Sequence, residues 1–147
     1  MFQKMTIIIL AVATTMMLHV SVAADNTIRL GAAHVVKAWR GTEGIQVWTL
    51  RYGPRNDHTA LVQITNIDHA WDKKIQVMSV EKKPGRSDYS IEHNGKKFVV
   101  LVLYKYNYGE LYLPGEDTPY NIYYSSGLSS EGNAGYFLND YLSQSKQ

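Results

Sequence analysis

The sequence predicts an all-β protein: an antiparallel β-sandwich or flattened barrel of roughly seven to nine short strands, with a short C-terminal helix. Three observations lead to this prediction. Apolar and polar residues alternate along most of the chain, which is the pattern of half-buried strands. Turn-forming residues separate the alternating runs. Only residues 134–142 have the apolar spacing of a helix, with Phe137, Leu138 and Tyr141 on one face and Asn133 as a candidate N-cap.

The alternation in each run predicts which side chains share a face of the sheet. Ile45, Val47 and Thr49 share one face of the second run, and Val62 and Ile64 share one face of the third. In chain order, the candidate strands are residues 33–39, 45–52, 60–67, 74–81, 88–93, 96–104, 111–113 and 121–124.

The strongest local signal is the dipeptide Asn94-Gly95 between the fifth and sixth runs. Both residue types tolerate positive φ, so the pair predicts a hairpin with a type I′ turn. The run that follows is apolar on both faces from Phe98 to Leu103, which is typical of a central strand covered on both sides. Residues 53–57 and 83–86 are turns by composition.

Composition limits the broad class of the protein. The 147 residues suit a single domain, and 45% hydrophobic with 19% charged residues is typical of a globular chain. A net charge of +2 argues against a nucleic-acid-binding protein. The absence of cysteine excludes disulfides, thiolate metal sites and a cysteine nucleophile.

Residues 1–23 are predicted to be a secretory signal peptide. A basic start, an apolar run over residues 5–18 and small residues before the cleavage point are the three parts that such a signal requires. Cleavage is expected after Ala23 or Ala24, and the apolar run is shorter than a membrane span. We therefore expect a periplasmic protein without a membrane anchor, in which residues 24–147 form one domain.

Charge and tyrosine are unevenly distributed along the chain. Residues 29–105 contain thirteen Lys and Arg against seven Asp and Glu, whereas residues 106–147 contain one base and five acids. Nine of the eleven tyrosines lie between Tyr104 and Tyr141. Tyrosine is enriched in binding surfaces, and acidic residues among the rings would attract a basic partner.

This distribution predicts that the later part of the chain binds a partner. The alternative is that the tyrosines are half-buried strand residues, an interpretation that is strongest for Tyr104, Tyr112 and Tyr123. The candidate partner-binding residues are Tyr106, Asn107, Tyr108, Glu110, Glu116, Asp117, Tyr120, Ser126 and Glu131.

No motif in the sequence predicts catalysis. The segment from Asp68 to Asp72 is interpreted as a surface turn that holds a packed Trp71, in preference to a metal site, and the scattered histidines as solvated. A nucleophile elbow and a phosphate-binding loop are both absent. We therefore expect no catalytic residue, no metal and no cofactor. Residues 125–132 are interpreted as a Ser/Gly loop, and three lysine pairs as solubilising and edge-protecting charges: Lys73-Lys74, Lys82-Lys83 and Lys96-Lys97.

Four segments of the chain resemble a known group of proteins: residues 28–34, 47–50, 60–67 and 109–116. Through them the chain resembles, over residues 25–125, exported immunity proteins that protect bacteria from peptidoglycan-degrading type VI secretion effectors, including lysozyme-like ones. The resemblance implies a β-sandwich, often a homodimer, that occludes the active-site cleft of the effector.

The leading hypothesis is therefore a periplasmic immunity or inhibitor protein without catalysis of its own, which binds a basic cell-wall hydrolase. The alternative is a carbohydrate- or peptidoglycan-binding module, in which tyrosine rings stack on sugars. A small exported hydrolase is a third hypothesis, which the lack of any nucleophile or metal motif disfavours.

Overall fold

A computed structural model describes residues 31–144 and residue 146, so the expected signal peptide, residues 1–23, lies outside the described residues. Eight strands and two helices follow one another. The strands are β1 (Lys37–Gly41), β2 (Gln46–Tyr52), β3 (Thr59–Thr65), β4 (Ile75–Lys83), β5 (Arg86–His93), β6 (Lys96–Tyr104), β7 (Tyr108–Leu111) and β8 (Tyr120–Tyr124). The helices are α1 (Ser126–Glu131) and α2 (Ala134–Gln144).

The strands form a closed antiparallel barrel in which each strand pairs with the next and β8 pairs with β1. Closure brings Trp39 opposite Tyr124 and Gly41 opposite Ile122. The predicted all-β class with a C-terminal helix is confirmed, and the architecture is a barrel. Because the sheet closes on itself, none of the eight described strands has an unpaired edge, and the lysine pairs therefore have no edge of this sheet to protect.

Two strands lie elsewhere than the alternation predicts. β1 begins at Lys37 instead of residue 33, because Val36 is buried against the apolar cluster beneath α2 instead of lying in the ladder with β2. β7 covers residues 108–111 instead of 111–113, because the turn at Tyr106 and Asn107 lets Leu103 pair with Gly109. In both strands a tertiary contact sets the residue at which the strand begins.

The predicted hairpin and the doubly covered strand are both confirmed. Asn94 and Gly95 have φ values of 51° and 73°, as a type I′ turn requires, and His93 pairs with Lys96 across them. In β6 the consecutive residues 100–102 are all buried, so both faces of this strand are covered.

Apolar side chains form two clusters, one inside the barrel and one outside it. Trp39, Val47, Val62 and Ile64 belong to the inner cluster. The outer cluster lies between α2 and the sheet, where Leu50, Leu61 and Ile75 pack against Phe137 and Leu138. As predicted, Asn133 caps α2, since its Oδ1 accepts a hydrogen bond of 3.0 Å from the Tyr136 N–H.

The Ser/Gly segment is helical, which corrects its interpretation as a loop. Ser125 caps α1 by accepting a 3.2 Å hydrogen bond from Leu128 N–H, and Leu128 is buried. Ser129 Oγ accepts a 2.8 Å hydrogen bond from Ala38 N–H, which fixes the helix against β1. Neither described helix has the length and apolar character needed to cross a membrane.

The two ends of the barrel carry different loops. At the lower end lie the start of β1 and the β2–β3, β4–β5 and β6–β7 connections. At the upper end lie the β1–β2, β3–β4, β5–β6 and β7–β8 connections. Because consecutive strands are antiparallel, the connection before a strand and the connection after it lie at opposite ends of the barrel.

Candidate functional site

Four tyrosines lie on one outer face of the barrel, on β6, β7, β8 and the residue after β7. Strand alternation places them there, since Tyr108, Glu110 and Tyr112 point outward while Gly109 and Leu111 point into the barrel. Pairing then brings Glu110 opposite Asn121 and Tyr108 opposite Tyr123. We call this surface the tyrosine face and define it by Tyr104, Tyr108, Glu110, Tyr112, Asn121 and Tyr123.

The carboxylate of Glu110 organises the tyrosine face. Its Oε2 accepts hydrogen bonds from the hydroxyls of Tyr104 at 3.1 Å and Tyr112 at 2.8 Å, and its Oε1 accepts one from Tyr108 at 3.2 Å. The Tyr108 hydroxyl also lies 3.0 Å from Asn121 Oδ1. One carboxylate thus holds three phenols in place.

The rings contact one another as well. Tyr104 and Tyr108 are stacked with centroids 5.4 Å apart and planes 18° apart, and Tyr108 lies 5.6 Å from Tyr123. Tyr123 is 58% exposed. Because the helices pack on β1 and on the outer side of β2–β4, neither described helix covers this aromatic surface.

The hydrogen bonds at this site change the acidity of its members. The pKa of Glu110 is lowered, chiefly by the hydrogen bond that it accepts from Tyr112. The bonds from Tyr104 and Tyr108 and the nearby charge of Arg86 lower this pKa further, whereas partial desolvation opposes the shift. The bond to Glu110 in turn raises the pKa of Tyr112 to about 12. At neutral pH the face therefore presents one ionised carboxylate surrounded by protonated phenols.

A second charged group flanks the tyrosine face on β4 and β5. Asp88 is almost fully buried, and its carboxylate lies 2.7 Å from Lys83 Nζ and 3.0 Å from Arg86 Nε. Among the described residues, the ion pairs involve only the carboxylates of Glu81 and Asp88. Within residues 31–144, no acidic residue after Tyr106 therefore lies within ion-pair distance of a lysine.

The structure brings only part of the predicted binding set together. Tyr108 and Glu110 lie on the tyrosine face, and Tyr106 and Asn107 form the turn at its lower end. Tyr106 is 96% exposed, and both turn residues have left-handed φ values, 70° and 63°, which are strained for residues other than glycine. An exposed ring on a strained turn contributes little to the core.

The other candidates lie elsewhere. Glu116, Asp117 and Tyr120 lie at the upper end, where a hydrogen bond to Glu116 raises the pKa of Tyr120. Ser126 and Glu131 are exposed on α1, which packs against β1. The interval from Tyr104 to Glu131, which the sequence joins into one acidic and aromatic stretch, is thus divided among both ends of the barrel, one outer face and a helix.

Four members of the tyrosine face were not among the predicted residues: Tyr104, Tyr112, Asn121 and Tyr123. The period-two spacing of Tyr108, Glu110 and Tyr112 was a usable signal, since it places all three on one face of a strand. No signal within the sequence showed that β8 lies beside β7 with Asn121 opposite Glu110.

The segment from Asp68 to Asp72 is a surface turn with a packed Trp71, as predicted. Trp71 packs against the inner cluster and meets the rings of His69, His93 and Phe98. His69 joins two upper loops, because its Nδ1 accepts from Trp71 N–H and its Nε2 lies 3.2 Å from the carbonyl oxygen of Pro114. Within the described part of the chain, no three His, Asp or Glu side chains converge as metal ligands.

Comparisons with known proteins give no match: no family model, no curated protein and no solved structure matches this chain.

Proposed function

We propose that this chain is a non-catalytic immunity or inhibitor protein of the periplasm, whose tyrosine face docks on a basic, lysozyme-like peptidoglycan hydrolase delivered by type VI secretion and occludes its cleft. The observation that carries the proposal is the arrangement of three phenols around the single carboxylate of Glu110, on an outer face that no helix in residues 31–144 covers.

The tyrosine face combines the properties of a protein-binding surface. Tyrosine contributes a large contact area with few rotatable bonds, and the hydrogen bonds to Glu110 already restrict three of the rings. Little conformational entropy is then lost on binding. The exposed ring of Tyr123 is suited to be an anchor that inserts into a partner's pocket.

The charge of the face selects a cationic partner. Glu110 is ionised at neutral pH, and aromatic ring faces attract the guanidinium and ammonium groups of arginine and lysine. Lysozyme-like hydrolases are frequently basic because their substrate is anionic. An exported protein with such a face therefore suits a basic cell-wall hydrolase, the target that the resemblance to immunity proteins implies. The resemblance also implies a homodimer, and light scattering would measure its mass.

The direct test measures peptidoglycan clearance by a type VI lysozyme-like effector in the presence of the protein and two variants. Tyr123→Ala removes an exposed ring of the tyrosine face, and Tyr136→Ala removes a comparably exposed ring, 68% accessible, from α2. We expect the wild type and Tyr136→Ala to inhibit clearance equally, and Tyr123→Ala to bind the effector at least about tenfold more weakly.

Two outcomes would contradict the proposal. If the wild-type protein leaves clearance unchanged, the inhibitor function is wrong. If both variants inhibit as well as the wild type, the tyrosine face is not the docking surface. Sedimentation of the protein with insoluble peptidoglycan in the absence of any hydrolase would instead favour the carbohydrate-binding alternative, to which the exposed rings of Tyr106 and Tyr123 are also suited.

A further inference from the structure

The lower end of the barrel contains open space. Inward positions near the upper end carry large apolar side chains such as Ile64 and Leu111, whereas those near the lower end include Thr49, Ala60 and Ser87. Small inward residues leave an eight-stranded barrel unfilled, with room for one small ligand. Two adjoining cavities of about 440 and 340 Å³ result, within the size range of ligand pockets. We call them together the basic mouth.

All the lysine, arginine, aspartate and glutamate residues that line the basic mouth are cationic ones. Seven of its lining residues are lysine or arginine, of which Lys83 and Arg86 pair with the nearby Asp88, and none of the lining residues is aspartate or glutamate. Lys37 and Lys82 border both cavities, and neither has a carboxylate within ion-pair distance among residues 31–144. Cations gathered around one cavity repel one another, and a bound anion would remove that repulsion.

The wall between these cations is apolar. Trp39, Leu103 and Tyr124 line the larger cavity, and Trp39 meets Tyr124 edge to face with centroids 5.8 Å apart. Tyr89 borders both cavities, and its hydroxyl makes no hydrogen bond with any other described residue. The mouth therefore offers cationic donors, one unused hydroxyl and an aromatic wall.

We infer that the basic mouth binds a small amphipathic organic anion, with its carboxylate or phosphate head at Lys37 and Lys82 and its apolar body against Trp39 and Leu103. Both parts are needed: the cations select the charge of the head, and the apolar wall selects a body that inorganic phosphate lacks. The basic mouth adjoins the tyrosine face, since Tyr104 also borders the larger cavity, but Lys37, Lys82 and Tyr89 belong to the mouth alone.

The test is isothermal titration of the full-length protein with four titrants: dodecanoate, dodecyl phosphate, dodecyltrimethylammonium and inorganic phosphate. The three dodecyl compounds are used below the concentrations at which they form micelles. A double variant, Lys37→Gln with Lys82→Gln, removes two charges from the mouth. The matched control, Lys73→Gln with Lys74→Gln, removes two exposed charges from the β3–β4 connection at the upper end.

We expect both dodecyl anions to bind with one molecule per mouth, the cationic analogue not to bind, and inorganic phosphate to bind at least about a hundredfold more weakly. The double variant in the mouth should weaken dodecanoate binding at least about tenfold, and the control should leave it unchanged. Tyr89→Phe, which removes only the hydroxyl, should weaken it a few-fold. Preference for dodecanoate over dodecyl phosphate, or the reverse, would identify the natural head group.

Three results would overturn the inference: equal binding of the cationic analogue, equal weakening in both double variants, or tight binding of inorganic phosphate without an apolar body. Circular dichroism of each variant would confirm that the barrel is intact. The inhibition assay changes Tyr123, which does not line the mouth, and the titration changes Lys37, Lys82 and Tyr89, which lie outside the tyrosine face. Failure of either test therefore leaves the other proposal standing.

Discussion

Replacing Glu110 by glutamine should destabilise the protein in a pH-dependent way. The carboxylate accepts three phenolic hydrogen bonds, two at Oε2 and one at Oε1. In the variant the amide oxygen can still accept the two bonds from Tyr104 and Tyr112, but as neutral bonds, and the amide nitrogen cannot accept from Tyr108. Charge-assisted bonds are about twice as strong as neutral ones.

The expected loss is about 1 kcal/mol at pH 7. Buried bonds to a charged group contribute about 1.5–3 kcal/mol each, but water screens Glu110 because the site lies on the outer surface. The pKa of Glu110 is lowered in the folded protein from its usual value of 4.5. The stabilisation is therefore complete above pH 4.5 and disappears as the pH falls through the lower folded value.

The assay is urea denaturation followed by tryptophan fluorescence, with wild type and Glu110→Gln measured from pH 7 down to about pH 3. The difference in free energy of unfolding should shrink toward zero at the acid end. Glu131→Gln, on the exposed side of α1, controls for the removal of one negative charge. A difference that stays constant with pH, or a variant as stable as the wild type at pH 7, would refute the role given to the carboxylate.

Three further predictions concern the same barrel. The Tyr112 phenol should titrate near pH 12, and its pKa should fall toward 10 in the Glu110→Gln variant, as ultraviolet absorbance of tyrosinate would show; an unchanged midpoint would exclude the bond as its cause. Leu61→Ala should lower the free energy of unfolding by about 2–5 kcal/mol in urea denaturation, because Leu61 is fully buried beneath α2; a cost below about 1 kcal/mol would mean that the helix is not packed there. Gly109→Ala should lower the melting temperature, since the added Cβ would lie 2.9 Å from a carbonyl oxygen of β6, whereas Gly127→Ala in open space on α1 should leave it unchanged or raise it.

Much of the fold was predictable because it depends on neighbours in sequence. The Asn94-Gly95 turn follows from two residues that accept positive φ, and the N-cap of α2 from one side chain beside its own helix. The alternation in β2 and β3 predicted correctly which side chains share a face, since the side-chain period of a strand is a local property. The helix α1 was missed because Ser and Gly are weak helix formers, and burial of Leu128 with the Ser129 bond to Ala38 stabilises it instead.

Local patterns along the chain thus predict the class of the protein, most of its strands and the presence of an acidic, tyrosine-rich segment. They do not predict that β8 closes on β1, that one carboxylate bonds to tyrosines from β6 and β7, or that Lys82 borders a cavity while Lys83 pairs with Asp88. The physical reason is that alternation assigns each side chain to a face of its strand, whereas the neighbours of that face come from strand pairing between residues as far apart as Trp39 and Tyr124.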